Sequence, residues 1–163
     1  MARALCPGSF DPVTVGHVDI IERTSRHFDE VLVAVVTNPS KAPLFDLDER
    51  KALLGEVLAH IPNVEIDSFD GLLVDFAQER KISVVVKGLR AVSDFDYEIQ
   101  MAQMNHKLTG IETLFMAASP KSSYLSSSLI KEVARYGGDV TGLVPDPVLR
   151  RLADRFGRGS GND

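Results

Sequence analysis

A single cysteine, Cys6, stands in a chain of 163 residues, so no disulfide can close within it. That excludes the stapled scaffolds of small secreted proteins and fits a reducing compartment. Cys6 ends an apolar run, where a lone thiol is expected to be a small buried hydrophobe. Long apolar stretches are also missing. No run approaches the roughly 20 residues that span a bilayer, and the first residues lack the apolar core of a signal peptide. The expectation is a cytoplasmic protein with no membrane partner. Basic residues are outnumbered, 18 Lys and Arg against 23 Asp and Glu for a net charge of −5, and form no dense block. A protein that coats nucleic acid is therefore not expected. Several catalytic signatures are absent: the Gly-Lys-Ser/Thr of a Walker loop, the Gly-x-Gly-x-x-Gly dinucleotide fingerprint, and the Gly-x-Ser-x-Gly elbow of a serine hydrolase. His27, His60 and His106 lack partners at zinc-binding spacing. No carboxylate cluster stands out, so metal ligands remain unassigned.

What is present is a chain with 44% hydrophobic and 25% charged residues. That composition is soluble and globular, and the length suits one domain, over residues 1–156, with a core that needs no staples. Apolar runs at 4–6, 31–36, 64–66, 82–86 and 113–117 read as five strands. Their apolarity is continuous rather than alternating, which fits parallel strands covered on both faces. Helical patterns fall at 17–26, 47–58, 72–79, 94–108, 127–136 and 147–156. Asp46 with Glu49 opens the second helix like a capping box, Gly137-Gly138 stops the fifth, and Pro147 starts the last. Tyr97, Met101, Met104 and Leu108 share one stripe of the 94–108 helix. The stripe is expected in the core, or at an oligomer contact should it be partly exposed. Strand–helix alternation implies right-handed crossovers and a doubly wound, Rossmann-like α/β sheet of five parallel strands with helices on both faces. The Gly-rich tail at 157–163 is expected to be disordered.

Such sheets bind ligands beyond the C-terminal ends of their strands, where the strand order reverses. After the first strand the chain reads Cys-Pro-Gly-Ser-Phe-Asp-Pro-Val-Thr-Val-Gly-His from Cys6 to His17. Pro, Gly and Asp force a tight turn, and Gly16 lets a ligand approach the backbone. His17 is expected at a helix N-terminus, where free N–H groups and the dipole attract anions. The second strand is followed by Asn-Pro-Ser-Lys, ending at Lys41. The fourth is followed by Lys87, Gly88 and Arg90, and the fifth by a Ser-rich loop with Ser126, Ser127 and Ser128 opening a helix. Singly, each feature has an ordinary explanation: a surface histidine, solvated lysines, a serine cap. Together, after successive strands, they point to a phosphate ligand clamped by Lys41, Lys87 and Arg90. No acid–base pair accompanies them. Phosphoryl or nucleotidyl transfer needs none, since it depends on alignment and on donors matched to developing charge.

Thr14-Val15-Gly16-His17 matches the Thr-x-Gly-His signature of the nucleotidyltransferase superfamily, and Ser126 to Lys131 resembles its second, serine-rich signature. Lys87-Gly88-Leu89-Arg90, followed by Asp94-Phe95-Asp96-Tyr97-Glu98, resembles one branch, the bacterial phosphopantetheine adenylyltransferases. The similarity runs from Arg3 to about Leu152. It implies adenylyl transfer from ATP to 4′-phosphopantetheine, giving 3′-dephospho-coenzyme A and pyrophosphate, with Mg2+ and without a protein nucleophile or base. By that resemblance, His17 stabilises the transition state, with Lys41 and Arg90 as further catalytic candidates. Ser9 and Phe10 contact ATP, and Ser9 also meets the acceptor phosphate. Lys41 binds that phosphate, Leu73 lines the pantetheine arm and Lys87 binds the acceptor. Gly88, Leu89, Arg90 and Glu98 hold the nucleotide, and Ser122, Ser123, Tyr124, Leu125, Ser126, Ser127 and Ser128 wrap its triphosphate and adenine. Ser9 stands where some members carry Thr, and Lys87 where some carry Arg, which keeps charge but loses the planar fork. The resemblance also implies a homohexamer and coenzyme A as a feedback ligand. A sibling transferase with another phosphorylated acceptor, or a nucleotide sensor without turnover, remains the alternative.

Overall fold

The computed structural model describes residues 1–38 and 40–157. Pro39 and all of the expected disordered tail but Gly157 lie outside them. In chain order the elements are β1 (Arg3–Gly8), α1 (Val15–Ser25), β2 (Glu30–Val36), α2 (Leu47–Val57), β3 (Val64–Phe69), α3 (Leu73–Glu79), β4 (Val84–Leu89), α4 (Val92–Thr109), β5 (Glu112–Ala117), α5 (Ser127–Arg135) and α6 (Asp146–Phe156). The strands form one parallel five-stranded sheet in the order β3-β2-β1-β4-β5. The chain winds outward from β1 to β3, then returns to the other side of β1. The reversal places the switch point between β1 and β4, as the doubly wound expectation requires.

The β-branched run of β2 suits its place inside the sheet, between β3 and central β1. Val31, Val33 and Val35 face one core beside Ala4 and Cys6, while Leu32 and Ala34 face a second beside Leu5. Ile21 of α1, Leu53 and Leu54 of α2, Ile130 of α5 and Leu152 of α6 close the first core. Val74, Phe76 and Ala77 of α3 close the second. Each fully buried Val or Leu contributes on the order of 1.5–3 kcal/mol, so the central strands hold the platform beneath the loops.

Three local features differ from the sequence expectation. Helix α1 starts at Val15, not at His17, because Thr14 is the extended N-cap and His17 is the third helical residue. The Thr14 hydroxyl accepts from the His17 N–H and the imidazole accepts from the Thr14 N–H, a capping box with His in place of Glu. Strand β4 runs on through Lys87, Gly88 and Leu89, which pair with Phe115, Met116 and Ala117 of β5. The expected post-strand residues are therefore the strand's own C-terminal end. Finally, the Tyr97–Leu108 stripe is not core: Met104 is 56% exposed and Tyr97 63%. Helix α4 packs on α3 and on the edge strand β5, and nothing among the described residues covers its outer face. Gly110, in the left-handed region at φ 77°, ends that helix. No helix among the described residues is long and apolar enough to cross a membrane.

Candidate active site

A cleft of about 950 Å³ opens over the C-terminal ends of β1, β2 and β4, at the switch point. Ser9, Phe10, His17, Lys41, Lys87, Gly88, Arg90, Glu98, Ser122, Leu125, Ser126, Ser127 and Ser128 all line it. Four expected site residues do not. Leu73 begins α3 and packs on the second core. Leu89 ends β4 opposite Ala117. Ser123 and the 59%-exposed Tyr124 lie on the turn before α5, between the lining residues Ser122 and Leu125.

The first wall is the β1–α1 turn. Phe10 adopts φ 47°, a conformation uncommon for a bulky residue, and tucks its ring under Gly8. A Cβ at Gly8 would stand 3.0 Å from that ring, so only glycine fits without a shift. The Phe10 ring meets His17 edge-on at 5.1 Å. The Thr14 N–H donates to His17 Nδ1 at 2.9 Å. An N–H donor there fixes Nδ1 as the acceptor, so Nε2 carries the ring hydrogen. Desolvation, with the Arg90 charge as a second cause, pulls the His17 pKa down to about 4. The ring is half-buried in an open cleft, yet enclosed closely enough to stay neutral near pH 7. His17 is thus a neutral imidazole that presents an N–H donor.

The expected anion site at the start of α1 is largely spent. The Val15 N–H donates to Leu143 O at 3.1 Å and the His17 N–H to Thr14 Oγ1. The start of α5 is better placed. Ser126 caps the Leu129 N–H, while the first-turn N–H groups of Ser127 and Ser128 have no intrahelical acceptor. The Ser127 hydroxyl donates to Pro12 O at 2.7 Å, which ties the two signature segments together.

Five cations line the cleft: Lys41, Arg50, Lys87, Arg90 and Lys131. Three are held by carboxylates. Lys87 Nζ sits 2.7 Å from Glu98, Arg90 forks onto Asp94 and also donates to Leu125 O, and Lys131 pairs with buried Asp11 at 3.1 Å. Asp11 also accepts the N–H groups of Leu44 and Phe45, fastening the β2–α2 loop behind Lys41. Lys41 itself is exposed on that loop. Of these groups, Asp11 and Lys131 lie inside the recognisable signatures, but only their ion pair across the fold marks them as part of the site. Arg50 sits mid-helix in α2 with no local signal. Among the described residues no group of three His, Cys, Asp or Glu could hold a metal.

The family model for cytidylyltransferase-like proteins matches residues 5–133. A phosphopantetheine adenylyltransferase from Frankia casuarinae is 61% identical over 160 residues, spanning 96% of this chain and 99% of that protein. The chain belongs to the phosphopantetheine adenylyltransferase family. A relative of the same name from Streptomyces coelicolor is 59% identical over 156 residues, 96% of this chain and 98% of its own length. Solved structures share the fold. One from Vibrio parahaemolyticus, assigned as a nicotinate-nucleotide adenylyltransferase, aligns with a TM-score of 0.65 at 22% identity over 93% of this chain and 99% of its own. A lipopolysaccharide core biosynthesis protein from Thermoplasma volcanium aligns with a TM-score of 0.53 at 25% identity, over 73% of this chain and 97% of its own. In this phosphopantetheine adenylyltransferase family member, the Lys87–Glu98 and Arg90–Asp94 pairs compensate part of the positive charge on the cleft wall.

Proposed function

We propose that this protein transfers the adenylyl group of ATP to 4′-phosphopantetheine, releasing pyrophosphate and forming 3′-dephospho-coenzyme A. The observation that carries the reading is the neutral His17 donor at the switch point, with cationic walls on both sides. An acceptor phosphate oxygen attacks the α-phosphorus. A new P–O–P link forms as the bond from the α-phosphorus to the α–β bridging oxygen breaks, and pyrophosphate leaves with that electron pair. The nucleophile is an anion already, so no base is needed. His17 Nε2–H donates to a non-bridging α-phosphate oxygen as the pentacovalent state gathers charge. Arg90 and the start of α5 hold the triphosphate, and Ser9 and Lys41 hold the acceptor phosphate. Leu73, Leu89, Ser123 and Tyr124 would join the ligands only at the cleft margins.

Magnesium fits this site through the substrates. Asp11 and Glu98, the cleft's carboxylates, are each engaged by a lysine, so Mg2+ would rest on phosphate oxygens and water. There it would neutralise charge on the leaving pyrophosphate. The reading further includes a cytoplasmic homohexamer, one catalytic unit over residues 1–156, and coenzyme A as a feedback ligand occupying the acceptor side.

Pyrophosphate release with ATP and separate phosphorylated acceptors, with products resolved by mass, tests the assignment. Turnover with 4′-phosphopantetheine is expected. Release with nicotinate mononucleotide but not with phosphopantetheine would overturn it.

A further inference from the structure

Arg50 is 6% exposed, at the cleft floor, and forms no ion pair among the described residues. A buried cation without a carboxylate is costly, so its surroundings should explain it. They are main-chain carbonyls. Nη1 donates to Ser9 O at 3.0 Å and more weakly to Val36 O at 3.4 Å, and Nε reaches Asp46 O at 3.4 Å. Ser9 follows β1, Val36 ends β2 and Asp46 caps α2.

Parallel strands raise a particular difficulty at this end of the sheet. Their last carbonyls have no strand partner and present negative dipole ends toward the loops. Here the same region must receive phosphate. We infer that Arg50 is a positioning residue that turns the Ser9 and Val36 carbonyls into the protein and keeps the acceptor end of the cleft receptive to a phosphate. The inference rests on the proposed reading of Ser9 and Lys41 as the acceptor-phosphate side. Arg50 and Lys41 line the same cleft, and the Val36 carbonyl that Arg50 holds ends the strand before the loop that carries Lys41. The Arg50 charge meets no carboxylate among the described residues, whereas those of Lys87, Arg90 and Lys131 do.

The test uses the full chain with Arg50→Lys, which keeps charge and one donor group, and Arg50→Met, which keeps neither. Steady-state pyrophosphate release gives KM for each substrate. Calorimetry compares binding of 4′-phosphopantetheine with binding of pantetheine, which lacks the phosphate. The expected result is a rise of about tenfold or more in acceptor KM for Arg50→Met, with ATP KM within about twofold, and substantial recovery in Arg50→Lys. Phosphopantetheine affinity should fall while pantetheine affinity holds. Should Arg50→Met fail to fold, Arg50→Lys must still show the smaller, acceptor-selective shift. If both KM values move together, or if only thermal stability changes, Arg50 is structural and the assignment is wrong. No turnover by the unaltered protein would instead overturn the functional reading beneath it.

Discussion

At the scale of single residues, His17 is set by one hydrogen bond. The Thr14 N–H claims Nδ1, and burial keeps the ring neutral. Replacing His17 with Ala should lower kcat by roughly 10²–10³, as for other preorganised transition-state donors, with little change in either KM. A variant that loses affinity but keeps kcat would show that the ring only binds ground-state phosphate. The pH behaviour follows from the depressed pKa. Unfolded His17 takes up a proton near 6.5, whereas the folded ring waits until about 4. Between those values the unfolded chain binds more protons, so this group lowers stability as pH falls through that window and makes no difference above it. Nitrogen-detected NMR should show Nδ1 unprotonated and Nε2 carrying the hydrogen down to about pH 5. A His17 midpoint near 6.5 would contradict the structure.

At the scale of elements, α1 and β4 meet where glycine is required. A Cβ on Gly88 would stand 2.9 Å from Ile20 Cγ1, inside any normal contact. Gly88→Ala should cost about 1–3 kcal/mol in denaturant unfolding, the usual penalty of overpacking. Adding Ile20→Ala should recover part of that loss, because neighbouring changes couple. Additive losses would place the strain elsewhere. Pairing with β5 carries β4 past the end of its apolar run. Lys87 and Gly88 look like loop residues by composition, yet their backbone pairs with Phe115 and Met116. Likewise, apolar spacing located α1 but set its start two residues late, since the capping residues Thr14 and His17 are polar. Periodicity reports which face is buried, not where the capping bonds form.

At the scale of the whole molecule, no described residue covers the apolar face of α4. Met101, Met104 and Leu108, with Leu114 on edge strand β5, are all at least 36% exposed. An uncovered stripe beside an unpaired edge suits contact with another copy. Met104→Glu, tested by light scattering, should reduce the assembled mass while leaving the far-UV spectrum unchanged. An unaltered mass would remove α4 from the interface. The charge distribution also belongs to this scale. A chain of net charge −5 folds so that five of its Lys and Arg line one cleft, which its composition conceals.

The alternation of strands and helices, the parallel sheet, the signatures that mark the family and the cations and hydroxyls of the loops were all legible in the amino-acid order. Those features are local: they depend on short-range spacing and on residue type. Only packing settles which nitrogen of His17 carries the ring hydrogen, which cleft cations are compensated and that Arg50 lies under Ser9. It also turned the α4 stripe outward. Asp11 meets Lys131, and Arg50 meets Ser9, across long stretches of chain. Such meetings follow from the order β3-β2-β1-β4-β5, and strand order is a property of packing that no local pattern encodes.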